Sequence, residues 1–205
     1  MPSSPALVDR RDPLPAGRGD RVALVGMMGA GKSVVGRLVA ARLGWPWVDS
    51  DEEVQRRTGR TVARLFGERG EEAFRAEEAR VVADALARKG PLVISVAGGA
   101  VLRPDNRAVL REGAFVVWLR AELDTLAARV TGGDHRPLLA GDHAARLAAL
   151  YAARGPHYEE LADVVVDVDA FGPGEVADQV VTAYRAAAQE AARAAAAAGG
   201  REHRA

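Results

Sequence analysis

The chain contains at residues 21–33 the sequence Arg21-Val22-Ala23-Leu24-Val25-Gly26-Met27-Met28-Gly29-Ala30-Gly31-Lys32-Ser33. Residues 26–33 fit the phosphate-binding pattern G-x-x-x-x-G-K-[ST]. The apolar residues 21–25 favour a β-strand, and residues 34–43 favour a helix. A strand, a glycine-rich loop and a helix in this order aim backbone N–H groups at a bound phosphate. The stretch therefore predicts a nucleotide phosphate site.

Lys32 is one of only two lysines in the chain, the other being Lys89. Its compact ammonium suits β- and γ-phosphate oxygens, and the hydroxyl of Ser33 suits Mg²⁺. We expect the following residues to contact the nucleotide: Gly29, Ala30, Gly31, Lys32, Ser33 and Val34. The alternative is a glycine-rich turn that fits the pattern by chance.

Short apolar runs alternate with helical patterns along most of the chain. The predicted strands lie near residues 21–25, 46–49, 92–96, 115–119 and 163–167. Such alternation is typical of an α/β protein in which helices cover both faces of a parallel sheet. Ligands of such sheets gather at the carboxyl ends of the strands, so we expect the site residues there.

Composition argues against nucleic-acid binding, disulfide or thiol chemistry, and membrane insertion. The 28 basic residues balance 28 acidic ones, cysteine is absent, and no apolar run approaches membrane-spanning length. We expect a soluble cytoplasmic protein without nucleic acid or membrane partners. Residues 1–19 are expected to form a disordered leader, residues 20–190 one domain, and residues 191–205 the end of an alanine-rich helix and a frayed tail.

Asp49 and Asp51 follow the second predicted strand. Spaced by two positions in extended backbone, they project to one side, where one can serve a metal's water shell and the other a substrate hydroxyl. Either can instead cap the next helix, and capping and catalysis can coexist.

Arg75 and Glu78 share one face of a predicted helix. By default such a pair is a solvated surface contact, but Glu78 can also hold the guanidinium of Arg75 towards a ligand carboxylate. Farther on, Gly98 and Gly99 follow the third strand, where they either expose backbone N–H groups to a ligand or form only a tight turn.

Residues 130–139 have flexible glycines followed by a proline, which is typical of a hinged flap. Arg136 would neutralise charge on the transferred phosphoryl group, unless the segment is an ordinary exposed loop. Arg154, on the following predicted helix, supplies another arginine to the same region. The four histidines show no metal-ligand spacing, and we assign none as a ligand.

Together these motifs closely resemble those of shikimate kinase, and the resemblance covers residues 21 to about 185. It implies a three-layer αβα P-loop kinase fold of the nucleoside monophosphate kinase type, with a five-stranded parallel sheet in the order 2-3-1-4-5 and a mobile lid. It also implies transfer of the γ-phosphoryl group of ATP to the 3-hydroxyl of shikimate, with Mg²⁺, by a monomer.

The resemblance also implies residue roles. Asp51 would bind ring hydroxyls and act as base, and Arg75, Arg154 and the amides of Gly98 and Gly99 would hold shikimate. Asp49 and Ser33 would serve Mg²⁺, while Lys32 and Arg136 would meet the transferred phosphate.

Three features of the sequence depart from the family pattern: Ala97 replaces the first of three usual glycines, the flap between Gly133 and Arg136 is short, and Val130 occupies the slot of an arginine that packs on adenine. The rival interpretations are another small-molecule kinase, such as a gluconate kinase, and a nucleotide switch with little chemistry. A guanine-reading N-K-x-D motif is absent, because the only asparagine is Asn106 and neither lysine follows it.

Overall fold

The computed structural model describes Arg18 and residues 20–130 and 143–202, with side chains as far as residue 198. The strands are β1 (Arg21–Val25), β2 (Trp47–Asp49), β3 (Leu92–Ser95), β4 (Phe115–Arg120) and β5 (Val164–Asp167). The helices are α1 (Lys32–Leu43), α2 (Ser50–Thr58), α3 (Val62–Ala87), α4 (Pro104–Gly113), α5 (Leu123–Val130), α6 (His143–Leu161) and α7 (Pro173–Glu202). A short 3-10 turn spans Ala100–Leu102.

The five strands form one parallel sheet in the order β2-β3-β1-β4-β5. Strand β1 lies at its centre, paired on one side with β3 and on the other with β4. Residues 22–25 are at most 1% exposed, as expected for a strand covered on both faces. The strand order confirms the prediction.

Two groups of helices flank the sheet. Helix α1 packs on α7, whereas α4 packs on α3 and α6. These two helical layers and the sheet between them confirm the predicted three-layer architecture. A second, smaller apolar cluster lies between α2 and α3, formed by Val54, Leu65, Phe74 and Val81.

Helix α3 contains a break at Gly70, where φ is 81° and ψ is 169°. Glycine has no Cβ, so it adopts this backbone conformation without strain. The rings of Phe66 and Phe74 meet across the break with their centroids 4.7 Å apart. The break therefore lets residues 62–69 fold back over the start of the longer helical segment that carries Arg75.

Arg18 belongs to the predicted leader, yet its side chain is buried where β4 and β5 begin. Its guanidinium donates to the carbonyl of Ala114 and pairs with Asp163, each at 2.7 Å. At the other end of the chain, α7 continues to Glu202. The remainder of the predicted leader and the flap with Arg136 lie outside the described residues. In the described part of the chain no helix is long and apolar enough to cross a bilayer.

Candidate active site

The phosphate-binding loop leaves the centre of the sheet after β1 and enters α1. Gly29 and Gly31 have φ values of 84° and 89°, which side chains rarely permit. The Nζ of Lys32 donates to the carbonyl of Met27 at 2.9 Å, so the lysine folds back over its own loop. The amide of Ala30 donates to the same carbonyl at 3.2 Å. The loop therefore forms a tight turn at the N-terminus of α1, which is a geometry that binds anions.

Asp49 occupies the position between β2 and α2 and has two roles in the fold. Its Oδ1 accepts hydrogen bonds from the amides of Asp51 and Glu52, which caps α2. Its Oδ2 accepts a 2.6 Å hydrogen bond from the hydroxyl of Ser33. Asp49 therefore caps α2 and also places its carboxylate beside the hydroxyl of Ser33 at the end of the phosphate loop. The sequence allowed both roles.

Ser50 connects the acidic turn to the glycine turn, a contact that the sequence analysis did not anticipate. Its buried hydroxyl accepts a 2.8 Å hydrogen bond from the amide of Ala97. The hydroxyl of Ser95, at the end of β3, donates a 2.9 Å hydrogen bond to the carbonyl of Lys32. Short polar side chains thus fix the three loops to one another at the carboxyl ends of β1, β2 and β3.

Arg75 and Glu78 form a buried ion pair. The default expectation of a solvated surface contact is wrong, because Arg75 is 8% exposed and Glu78 is 0% exposed. The Nη1 of Arg75 donates to both carboxylate oxygens of Glu78, at 3.0 and 3.2 Å. Its guanidinium also lies 5.2 Å from the ring centre of Phe74 and 5.9 Å from that of Phe66. The apolar wall shields this charge from water.

Burial raises the pKa of Glu78 to about 7, although the neighbouring Arg75 acts in the opposite direction. The charge of Asp51 adds to the increase in pKa, and that of Arg154 opposes it. The charges of Arg75, Asp51 and Arg154 therefore all act on the carboxyl group of Glu78. Near neutral pH the carboxyl group of Glu78 exists in both protonation states.

Gly98 and Gly99 lie against the two arginines. A Cβ atom built on Gly99 would lie 2.6 Å from the Nη2 of Arg75. A Cβ atom on Gly98 would lie 3.4 Å from the Nη1 of Arg154. Consecutive glycines thus let two guanidinium groups, from α3 and α6, approach the same short turn.

Arg154 is 2% exposed. Among the described residues its Nε has no hydrogen-bond partner, and no carboxylate lies within ion-pair distance of its guanidinium. A buried cation with an unsatisfied donor is costly without a ligand or counter-ion. This side chain is therefore suited to bind an anion.

One cavity of about 660 Å³ brings most of the predicted site residues together, a volume typical of small-molecule sites. The predicted residues that line it are Gly29, Gly31, Lys32, Ser33, Val34, Asp49, Asp51, Arg75, Gly98, Gly99 and Arg154. Ala30 is buried and is not among the lining residues, and Arg136 is outside the described part of the chain.

Arg129 lines the same cavity and was not assigned a role from the sequence. Its two terminal nitrogens lie 3.5 Å from the carbonyl of Gly29 and 3.4 Å from that of Val168. It therefore joins the phosphate loop to the segment after β5. Only its position one residue before the family's arginine slot pointed to it.

A parallel sheet of this order, with a phosphate loop between β1 and α1 and a charged cavity at the strand ends, defines a P-loop kinase. A family model described as shikimate kinase matches residues 28–185. The chain belongs to the shikimate kinase family. The shikimate kinase of Symbiobacterium thermophilum is 53% identical over 151 residues, which cover 72% of this chain and 86% of that protein. The shikimate kinase of Chromobacterium violaceum is 47% identical over 145 residues, covering 70% and 78%.

Solved structures agree with this assignment. A shikimate kinase from Acinetobacter baumannii in complex with shikimate superposes with a TM-score of 0.79 at 32% identity, covering 82% of this chain and 93% of that one. A gluconokinase from Sinorhizobium meliloti reaches only 0.56 at 22% identity, which shows a shared fold alone. The predictions of family, of a kinase and of ATP as a substrate are confirmed.

Proposed function

We propose that this chain transfers the γ-phosphoryl group of ATP to the 3-hydroxyl of shikimate, giving shikimate 3-phosphate and ADP on the route to chorismate and the aromatic amino acids. One observation carries the proposal for the site: the buried Arg75 and Arg154 reach the Gly98–Gly99 turn in a cavity that Asp51 also lines. Guanidinium groups suit a carboxylate and an aspartate suits several hydroxyls, which are the polar groups of shikimate.

The acceptor binds in the part of the cavity nearest to α3 and α6. Arg75 and Arg154 hold its carboxylate, and backbone N–H groups of Gly98 and Gly99 add hydrogen bonds. Glu78 keeps the guanidinium of Arg75 in place from the buried side. Because the donors are already fixed by the fold, little ordering is needed when the acceptor binds.

Asp51 binds the ring hydroxyls and accepts the proton of the attacking hydroxyl. Lys32 neutralises charge on the β- and γ-phosphates, together with the amides of Gly29, Gly31, Ser33 and Val34. Positioning and charge neutralisation supply most of the acceleration, so proton removal can be late. Arg136, whose role rests on the flap's sequence and on the resemblance, meets the transferred phosphate from the flap.

The residues present fit a magnesium ion. Mg²⁺ usually keeps several waters and binds one or two protein oxygens besides the phosphates. The adjacent Ser33 hydroxyl and Asp49 carboxylate supply such a pair, and no group of three metal-ligating side chains occurs among the described residues. A bound Mg²⁺ would neutralise phosphate charge, with Ser33 a direct ligand and Asp49 acting through water.

We further propose a monomer that acts in the cytoplasm without nucleic acid or membrane partners. Residues 20–190 constitute the kinase domain, and residues 1–19 and 191–205 take no part in catalysis. Gel filtration with light scattering tests the monomer, and a version trimmed to residues 18–190 tests the domain bounds. The trimmed version retains Arg18 because its side chain is buried against β4 and β5.

The decisive assay measures ADP release with Mg²⁺ and ATP in the presence of shikimate or gluconate. We expect turnover that depends on shikimate; turnover with gluconate and none with shikimate would reject the function. Asp51→Asn should lower kcat by at least ~10²-fold without unfolding the protein. The control Asp105→Asn changes an exposed carboxylate at the start of α4 and should have no such effect. Near-normal turnover of Asp51→Asn would remove Asp51 from the mechanism.

A further inference from the structure

Tyr158 is a fully buried tyrosine whose hydroxyl lies behind the Gly98–Gly99 turn that lines the cavity. It is 0% exposed, and its ring lies 5.8 Å from that of Trp118. The hydroxyl donates a 2.6 Å hydrogen bond to the carbonyl of Gly98. A buried aromatic ring is ordinary for a core residue, but a hydroxyl that donates to the carbonyl of a cavity-lining glycine is not.

The hydroxyl of Tyr158 also lies near Arg154, since a Cβ atom built on Gly98 would be 3.3 Å from that hydroxyl and 3.4 Å from the Nη1 of Arg154. The two residues are four positions apart on α6 and so share one helix face. Burial raises the pKa of Tyr158, while the nearby positive charge of Arg154 acts in the opposite direction. The hydroxyl of Tyr158 is therefore a polar neighbour of the Arg154 guanidinium, whose Nε lacks a hydrogen-bond partner among the described residues.

The hydrogen bond to Gly98 determines where the next amide points. In a planar trans peptide the C=O of Gly98 and the N–H of Gly99 point in opposite directions. The described residues contain no cis peptide bond. Since Tyr158 holds the carbonyl on the buried side, the N–H of Gly99 is directed to the other side of the peptide, and Gly99 lines the cavity.

We propose that Tyr158 is a positioning residue for the acceptor: its hydroxyl fixes the Gly98–Gly99 peptide and the guanidinium of Arg154 in one arrangement. The inference rests on the proposed function, because the acceptor is taken to be shikimate. Tyr158 contacts no reacting atom. Its loss should weaken shikimate binding and leave ATP binding nearly unchanged, because the other contact of the hydroxyl, 3.8 Å from the weakly accepting sulfur of Met27, contributes little.

The test compares Tyr158→Phe with Tyr184→Phe. Each removes one hydroxyl from a buried tyrosine, but Tyr184 packs against Trp45 and Phe115, away from the cavity. We expect Tyr158→Phe to raise the KM and the Kd for shikimate about five- to tenfold, which is the fold-change expected from one lost hydrogen bond, with the KM for ATP nearly unchanged. Tyr184→Phe should alter neither KM.

A double-mutant cycle with Arg154→Lys measures the coupling between the two residues in shikimate affinity. A merely structural role of Tyr158 would produce no such coupling. If Tyr158 acts through Arg154, the combined loss in shikimate affinity is smaller than the product of the single losses. Equal increases in both KM values, or an unchanged KM for shikimate, would overturn the proposal. Unfolding of Tyr158→Phe under conditions where Tyr184→Phe stays folded would assign the hydroxyl to stability and also overturn it. Absence of shikimate turnover in the unmodified chain would instead reject the proposed function.

Discussion

The buried carboxyl group of Glu78 makes the stability of this protein depend on pH in an unusual direction. The ordinary pKa of a glutamate, 4.5, is taken for the unfolded chain, and burial raises the pKa of Glu78 to about 7, so the folded state binds the proton more tightly. Stability from this group is fully present below pH 4.5 and is lost as the pH rises through 7. Most surface carboxylates in ion pairs behave in the opposite way.

The magnitude follows from the two pKa values. Each pKa unit corresponds to about 1.4 kcal/mol, so complete ionisation of Glu78 lowers the free energy of unfolding by about 3 kcal/mol. Between about pH 5 and about pH 8 the expected loss is about 2.5 kcal/mol, because part of the titration lies below this range. Glu78→Gln keeps the shape of the side chain and removes the titration.

The measurement is the free energy of unfolding in urea for the unmodified protein and for Glu78→Gln at several pH values. The advantage of the carboxyl group over the amide should shrink by about 2.5 kcal/mol from about pH 5 to about pH 8. Glu160→Gln is the control, because Arg111 lowers the pKa of Glu160 and both of its pKa values lie below this window. A difference for Glu78→Gln that stays constant, or that grows with pH, would refute the reasoning.

Two further predictions concern glycines at close approaches. Gly99→Ala should raise the KM for shikimate at least about tenfold in steady-state kinetics with little change for ATP, because its Cβ displaces the guanidinium of Arg75; an unchanged KM would contradict the placement of Arg75. Gly36→Ala should lower the free energy of unfolding by about 1–3 kcal/mol, since its Cβ would lie 2.5 Å from the Nε1 of Trp47. Gly67→Ala, at an exposed helical position with no atom within 4 Å, should be neutral or stabilising in the same urea titration.

The sheet could be predicted from the sequence because its strands are short apolar runs between turns. All five predicted strands occur within a few residues of their expected positions. The order of the strands came from the family resemblance, because composition and periodicity do not specify which strands pair. The break at Gly70 was not anticipated, since a lone glycine within a helical pattern is usually tolerated.

The site was harder to predict than the fold, for a physical reason. An arginine and a glutamate three positions apart look the same in sequence whether the helix face is wet or buried, so the burial of Glu78 depends on what packs on α3. The hydroxyl of Tyr158 was equally hidden, because aromatic residues on helices mostly indicate core. Tertiary packing gave these polar groups their roles.

The charge of the cavity also arises from folding. The whole chain has 28 basic and 28 acidic residues, so composition indicates no attraction for an anion. The cavity walls nevertheless hold four cations, Lys32, Arg75, Arg129 and Arg154, and three carboxylates, Asp49, Asp51 and Glu78. One of these carboxylates has a pKa of about 7 and is only partly ionised at neutral pH. The walls thus carry an excess of positive charge. Apolar rings lie beside these charges, so water screens them weakly, and the excess favours binding of the negative groups of shikimate and ATP.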